Sequence, residues 1–463
     1  MSEITAPYPV SDSQQGHSWT AAKILYIGLT GFCLLSYLWT LAIGAGINSL
    51  PTVIWLARLA SVPLAVYLGK LWKNKGFWIL SLYTSLFFLR CFIPNPGSVF
   101  KAEVAENILS ALWLFTACYG LGRILNEKQL KMFLAVCACI WTAGMIALSC
   151  IGIYAAWTGK PVTIFGSSFI GLYISDLVRL HIVYIATTSG SFIGVTVLII
   201  TLLLICTSNK AMKIVLVLSL FVSVIALALT DSRTAYISVP AGMGVIVFSV
   251  IFHFFQTKKT DKWKPWVWGM TAMVLTFVIL IWCIMQITPL FNNLKDKGMI
   301  ARAYAEEVKT NTSSVVSTRG FGGHILSGRM ELWSSVIQHI RQNPKVLIIG
   351  ESKLAPLRSF DNFYAHCHCL YLQVLLESGI PGLLLFLSFI IYTLYHAIRV
   401  IRTPNLPLWI RLLPALPISL WVGDIAETFT WLRSSQCPMG AIAIISAGII
   451  CAQTTNRNKQ IEI

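Results

Sequence analysis

The chain has 463 residues, of which 56% are hydrophobic and only 11% are charged, whereas soluble domains carry about 25% charged residues. This composition excludes an ordinary soluble protein. The formal net charge of +17 does not indicate nucleic-acid binding, because the basic residues lie mostly in short loops between apolar segments and form no basic run interleaved with aromatic residues.

Apolar segments of about 20 residues recur from one end of the chain to the other, and each is long enough to cross a hydrocarbon core of about 30 Å as a helix. A transmembrane β-barrel would instead show shorter segments of alternating polarity. The sequence therefore predicts an all-α polytopic membrane protein with about twelve transmembrane helices. The predicted spans are 22–46, 51–70, 75–94, 103–123, 131–157, 181–206, 211–230, 234–255, 266–290, 369–396, 406–427 and 432–452.

The tenth predicted span is interrupted by the sequence Glu377-Ser378-Gly379-Ile380-Pro381-Gly382. Glycine and proline weaken or remove the hydrogen bonds of a helix. We therefore expect this helix to be kinked or unwound at that point.

Lys and Arg residues are concentrated on one side of the spans if the amino terminus is cytoplasmic. Cytoplasmic loops carry such an excess of basic residues. We therefore predict a multi-pass protein of the cell inner membrane with both termini in the cytoplasm. The predicted segments are a cytoplasmic tail at 1–20, transmembrane helices one to nine at 21–290, a large periplasmic loop at 291–368, transmembrane helices ten to twelve at 369–452, and a second cytoplasmic tail at 453–463.

Part of the large loop has apolar residues at helical spacing. They are Met330, Leu332–Trp333, Val336–Ile337 and Ile340. This pattern predicts a short amphipathic helix that lies on the membrane or caps the helical bundle.

Four polar groups lie near the predicted outer ends of the spans, where charged residues are costly unless they are paired or functional. Each also has a plainer interpretation. An arginine near the interface can extend towards lipid headgroups or remain solvated, and an interfacial histidine can lack any role. The groups are Thr230–Thr234 with Arg233, Ser327–Trp333 with Arg329, Ala365–Leu372 with His366 and His368, and the pair Arg179 and His181.

Converging arginines suit an anionic headgroup, because guanidinium groups bind phosphate oxygens through two parallel hydrogen bonds. A neighbouring histidine can accept a proton from an attacking hydroxyl, since the pKa of an imidazole lies near neutrality. Together these residue types predict group transfer from a lipid-linked phosphate. The developing charge of the leaving diphosphate would be stabilised by arginine rather than by a metal ion.

The run His366-Cys367-His368-Cys369 raises the question of a zinc site. Adjacent and alternate ligands fit a tetrahedral site poorly without a second pair, and no CxxC or HxxxH pattern follows. We therefore expect no metal and no cofactor. A disulfide that involves Cys367, Cys369 or Cys437 is left as an alternative, because these residues are predicted to face an oxidising compartment.

At these positions the chain resembles the O-antigen ligase and polymerase family of membrane glycosyltransferases, over about residues 215–395. Many relatives have Asn after the histidine of the pattern, whereas this chain has Cys369, and His366 is a second candidate for that histidine. The matching features are Ser232-Arg233 at the start of one span, Gly328-Arg329 followed by Trp333 in the large loop, His368 before Tyr371-Leu372, and the run Glu377-Ser378-Gly379-Ile380-Pro381-Gly382-Leu383-Leu384.

The resemblance implies a GT-C-like fold and a metal-independent, inverting transfer. In the ligase version, undecaprenyl-diphosphate-linked O-antigen is the donor and the lipid A–core oligosaccharide is the acceptor. The surrounding membrane lipids are further partners. The implied catalytic residues are Arg233 and Arg329, which bind the diphosphate, and His368, which orients or deprotonates the acceptor hydroxyl. The implied substrate-binding residues are Arg179, Arg319, His366 and Tyr371.

The leading interpretation is an O-antigen ligase that acts in lipopolysaccharide biosynthesis at the periplasmic face. The O-antigen polymerase of the same family and the protein O-oligosaccharyltransferases are alternatives, because they use the same donor headgroup. A transporter for a lipid-linked glycan is a further alternative, although its ionisable groups should lie near the middle of the membrane and its interrupted helices should occur in pairs.

Overall fold

Helices make up most of the described chain, in a computed structural model that covers residues 20–43, 52–92, 102–158, 160, 162–164, 168–174, 178–182, 186–258, 263–296, 329–351, 367–428, 430 and 437–461. The first helices are α1 (Ala21–Ile43), α2 (Thr52–Gly69), α3 (Lys75–Phe92), α4 (Ala102–Trp113), α5 (Tyr119–Ile124) and α6 (Glu127–Thr158). The later helices are α7 (Ala186–Cys206), α8 (Lys210–Thr230), α9 (Arg233–Thr257), α10 (Lys264–Asp296), α11 (Arg329–Gln342), α12 (Lys345–Ile349), α13 (Leu370–Arg402), α14 (Leu408–Leu412), α15 (Ala415–Gly423) and α16 (Cys437–Ile461).

Seven of the described helices are long and apolar enough to cross a membrane, judged by length and composition. They are α2, α6, α7, α8, α9, α10 and α13. A helix satisfies its backbone donors and acceptors internally, which is why long apolar segments adopt this form in lipid. The prediction of a helical, polytopic membrane protein is therefore confirmed. Helices overlap all of the predicted spans, and the count of about twelve crossings stays a prediction.

A small antiparallel sheet lies between α6 and α7 and was not predicted from the sequence. Its strands are β1 (Val162–Ile164), β2 (Ser168–Ile174) and β3 (Val178–His181), in the spatial order β1-β2-β3. In the register of the second pair, Gly171 lies opposite His181. The all-α prediction therefore describes the bundle but not this three-stranded connection.

The sheet also corrects the start of the sixth predicted span, 181–206. His181 ends β3, and α7 begins only at Ala186. Leu180 and Ile182 are buried and alternate with more polar neighbours, which is the period of a half-buried strand. This short alternation runs directly into the apolar segment of α7, so the sequence pattern merged the two elements into one helix.

The tenth predicted span is broken, as expected. Gly379 lies inside α13 with φ 66° and ψ −170°, and Gly350, which follows α12, has φ 69° and ψ 179°. This backbone region is essentially restricted to glycine. A Cβ atom on Gly379 would lie 2.9 Å from the carbonyl oxygens of Leu347 and Ile348, and one on Gly350 would lie 2.5 Å from the carbonyl of Glu377. The break in α13 is therefore the place where α12 packs, backbone against backbone.

Helix α11 is the amphipathic helix that the sequence predicts in the large loop. Its buried face carries Leu332, Val336 and Ile340, which pack with Cys367 and Leu376 in a small apolar cluster. These three residues are spaced by one turn of helix, so they form one stripe. The stripe holds α11 against the first turns of α13, and α11 therefore caps this part of the bundle.

Helices α14 and α15 run antiparallel to α9. The Arg411 guanidinium in α14 donates to the Gln256 side chain near the end of α9. The Ser419 hydroxyl in α15 donates to the carbonyl oxygen of Ser238, near the start of α9, at 2.7 Å. Buried apolar side chains from both halves of the chain pack around this pair of elements in one continuous core.

Because of this antiparallel packing, the start of α9 and the end of α15 lie at the same height along the axis of the bundle. From Ser238 back to Arg233, and from Ser419 forward to Asp424, the chain covers about 7.5 Å of helical rise in each case. The start of α9 and the end of α15 therefore lie at one end of the bundle.

The contact between Gly379 and Gly350 provides a test of this packing. We expect Gly379→Ala to lower the midpoint of thermal unfolding of the detergent-purified protein, because a side chain in this backbone region costs about 1–3 kcal/mol and the added Cβ meets two carbonyl oxygens. Gly28→Ala in α1 is the matched control, since nothing lies within 4 Å of its added Cβ. A midpoint for Gly379→Ala equal to that of the control would contradict the packing of α12 on the break.

Candidate functional site

One buried carboxylate joins two of the residues that the sequence singled out. The Arg329 guanidinium donates through Nη2 to Oε1 of Glu427, and Nδ1 of His368 lies 2.9 Å from Oε2 of the same carboxylate. The Glu427 side chain is 4% exposed, against 16% for Arg329 and 20% for His368. A buried charge requires such partners, so the carboxylate fixes the positions of the cation and the imidazole, both of which remain partly accessible.

The backbone around His368 explains how it reaches Glu427. His368 has φ 49°, one of three described non-glycine residues with positive φ. The chain turns sharply here before Cys369, which precedes the first residue of α13. The N–H of Leu370 then donates to the carbonyl oxygens of Asp424 and Glu427, at 2.9 and 3.0 Å. The start of α13 is therefore attached to the turn after α15, which carries the carboxylate.

A second set of hydrogen bonds positions Arg329 at the start of α11. Trp333, one turn further along α11, donates from Nε1 to the Cys367 carbonyl oxygen at 2.9 Å. The N–H of Cys367 donates to the Gln373 side chain at 3.0 Å, and Gln373 donates to Glu377 at 2.8 Å. Helix α11 is thus tied to the segment that carries His368, so Arg329 and His368 are held by one rigid connection.

The two cysteines beside His368 are thiols. Cys367 and Cys369 are both free, so the alternative of a disulfide that involves either of them, with each other or with Cys437, is wrong for this structure. Burial raises the pKa of the Cys367 thiol far above its ordinary value, which keeps the thiol protonated at neutral pH. Among the described residues, no group of three His, Cys, Asp or Glu side chains is arranged to hold a metal ion.

A second polar cluster surrounds the start of α9. Asp231 directly follows α8 and has the left-handed conformation, with φ 47°, and its Oδ2 lies 3.9 Å from Nε of Arg179 in β3. Ser232 is fully buried, and a Cβ on Gly190 of α7 would lie 2.1 Å from its Cβ. Close packing of α7 therefore fixes this turn, and Arg233 follows it as the half-buried first residue of α9.

The two clusters lie at the same end of the bundle. Arg233 begins α9, and Asp424 directly follows α15, at the same level. The structure therefore places Arg329 and His368 in direct contact with one carboxylate. At the same end of the bundle it places Arg179 beside Asp231, two residues before Arg233. Arg319 and His366 lie outside the described residues.

Tyr371 has a structural contact in addition to its place near His368. Its hydroxyl donates to the carbonyl oxygen of Trp421 at 2.9 Å. This bond fastens the first turn of α13 to α15, close to the turn that carries Glu427. Its implied role in substrate binding stays a prediction.

The sequence reasoning missed Glu427 and its neighbour Asp424. Both were included in the eleventh predicted span, although ionisable residues inside an apolar segment are functional candidates by default. Asp424 is fully buried, and its carboxylate accepts hydrogen bonds from the N–H and the hydroxyl of Thr430. The same rule that directed attention to Arg233 would have found both carboxylates.

A comparison with known protein families gave a match in the central part of the chain. Residues 218–387 match a family model described as O-antigen ligase. This range includes Arg233, Arg329 and His368, whereas Arg179 and Glu427 lie outside it. A search of curated proteins gave no match.

His181 makes the cluster around Arg179 sensitive to pH. Burial, and then the Arg179 charge, lower the pKa of His181 from 6.5 to about 4. The folded state therefore binds fewer protons than the unfolded state between these values, and stability falls as the pH drops through that window. We expect the thermal midpoint of the protein to fall less between pH 7 and pH 4.5 in His181→Asn than in the unaltered protein. Parallel curves for the two proteins would contradict this assignment.

Proposed function

We propose that this protein, which carries an O-antigen ligase family domain at residues 218–387, is a membrane glycosyltransferase that moves a saccharide from a lipid-linked diphosphate to an acceptor hydroxyl. The donor is undecaprenyl-diphosphate-linked O-antigen, and the acceptor is the lipid A–core oligosaccharide. The reaction takes place at the periplasmic face of the inner membrane. The observation that carries the proposal is the Glu427 carboxylate shared by Arg329 and His368.

The arginines bind the diphosphate. A guanidinium has five N–H donors, so Arg329 can hold Glu427 through Nη2 and direct other donors towards phosphate oxygens. Arg233 adds a second cation at the start of α9, where the helix dipole also favours an anion. Negative charge builds on the diphosphate as its bond to the sugar breaks, and these fixed cations stabilise that charge.

His368 acts as the general base. Its Nδ1 faces the Glu427 carboxylate, which favours the tautomer with the proton on Nδ1 and leaves Nε2 to accept a proton. The acceptor hydroxyl oxygen attacks the anomeric carbon, the bond from that carbon to the diphosphate oxygen breaks, and the hydroxyl proton passes to Nε2. Glu427 then stabilises the imidazolium, as a carboxylate does for a catalytic histidine. A single displacement of this kind inverts the anomeric centre.

Arg329 also has a second role in this arrangement. Its positive charge beside Glu427 keeps the carboxylate ionised despite burial, and the ionised carboxylate keeps His368 oriented. The cation that binds the donor and the base that activates the acceptor thus share one support. Because Arg329 and His368 cannot move independently, the donor and the acceptor are held in a fixed relative position.

The decisive experiment is transfer by the purified full-length protein, supplied with undecaprenyl-diphosphate-linked O-antigen and lipid A–core in the presence of a chelator and without nucleotide. We expect glycosylated lipid A–core, seen as a mass increase of the acceptor. We expect His368→Ala to lower the rate by about 10²–10⁴-fold, the usual contribution of a general base, and His366→Ala to retain activity.

Other outcomes would indicate a different function or a different residue as the general base. Lengthened polymer on the polyprenyl carrier, with the acceptor unchanged, would identify a polymerase. Movement of the donor across a vesicle membrane without a new bond would identify a transporter. Full activity in His368→Ala, with loss in His366→Ala, would show that the other histidine is the base.

Arg329→Lys tests two-point recognition of phosphate by the guanidinium group. We expect the rate to fall by about 10²–10³-fold, the typical effect of removing one donor that stabilises developing charge, because an ammonium group cannot form the planar pair of bonds. Arg341→Lys is the matched control, since Arg341 is exposed in the last turn of the same helix. Equal activity in the two variants would argue against Arg329 as a diphosphate ligand.

A further inference from the structure

An apolar cavity lies inside the helical bundle, apart from the Glu427 site. It has a volume of about 230 Å³, is partly open, and is lined by residues of α1, α6, α7, α14, α15 and α16. Its walls are almost entirely apolar and include Phe133, Trp141, Leu203, Leu416 and Ile445. The first and second halves of the sequence therefore do not pack against each other completely in this region.

One end of the cavity is charged. Lys131, in the first turns of α6, is the only ionised side chain among the described residues that line it, and it lies near Cys206. Lys131 is exposed and forms no ion pair with the described residues. The cavity thus combines a long apolar interior with a single available cation at its mouth.

This mouth lies at the opposite end of the bundle from the Glu427 site. Gly190 packs on Ser232 beside Arg233, whereas Cys206 ends the same helix, α7, about 24 Å further along. The distribution of basic residues predicts that this second end faces the cytoplasm. A donor headgroup at Arg329 and a headgroup at Lys131 would therefore belong to different lipid molecules.

The chemistry of the cavity selects its occupant. A dry apolar cavity of about 150 Å³ already takes up hydrocarbon in preference to water. In a bilayer the available hydrocarbon is an acyl chain, which can enter between helices. Basic pockets between transmembrane helices on the cytoplasmic side bind anionic lipid headgroups.

We propose that this cavity binds an anionic phospholipid of the cytoplasmic leaflet, with its phosphate at Lys131 and one acyl chain between α1, α6, α7 and α16. The lipid fills the gap between the two halves of the bundle. This site is independent of the proposed glycosyl transfer, since it involves none of the residues assigned to that reaction.

Native mass spectrometry of the full-length protein tests the proposal, with phosphatidylglycerol and phosphatidylethanolamine added as separate probes. We expect the unaltered protein to retain phosphatidylglycerol more strongly, and Lys131→Ala to retain it about fivefold less, the effect of one cation near an anionic lipid. Lys75→Ala is the matched control, because it removes an equal charge from an exposed lysine that does not line the cavity. We expect that control to bind like the unaltered protein.

Ala138→Phe provides a second variant that leaves the charge in place. Ala138 lines the cavity, so the larger side chain should exclude the acyl chain and reduce phosphatidylglycerol retention. Unchanged retention in this variant would place the lipid elsewhere and overturn the proposal. Equal retention of the two lipids, equal loss in Lys131→Ala and Lys75→Ala, or displacement of phosphatidylglycerol by a polyprenyl phosphate would each overturn it as well.

Discussion

The arrangement of one end of the helical bundle depends on the Glu427 carboxylate, which is almost fully buried between Arg329 and His368. Removing a carboxylate from water is costly unless cations or hydrogen-bond donors surround it. Glu427 has both kinds of partner, and they come from segments far apart in the sequence. The loop helix α11, the start of α13 and the turn after α15 are therefore held together at this carboxylate.

The rest of the fold supplies the supports for that assembly. Helix α15 reaches its position because α14 and α15 run along α9, from Arg411 beside Gln256 to Ser419 beside Ser238. The main chain of Leu370 then connects α13 to the turn that carries Glu427. The packing of the long helices thus determines where the polar side chains at the end of the bundle lie. Rigid helices commonly orient a site in this way.

The sequence predicted the parts of this structure whose signals are local. Long apolar segments identified the helices, Gly379 and Pro381 identified the break in α13, and the spacing of Leu332, Val336 and Ile340 identified α11. The small sheet was missed because the alternation at Leu180 and Ile182 is short and merges with the apolar start of α7. Glu427 was missed although an ionisable residue inside an apolar segment is a candidate in its own right. Its partners Arg329 and His368 could not have been predicted, because contacts over such separations leave no periodic pattern.

The contact between Gly350 and Gly379 has a consequence for how this kind of protein can diversify. Helix α12 is attached to α13 through main-chain atoms, so its placement does not depend on which side chains α11 and α12 present on their outer faces. Those faces carry exposed residues such as Gln338 and Ile348. Mutation can therefore reshape the exposed surface around Arg329, while the anchoring of the helix by its main chain stays the same.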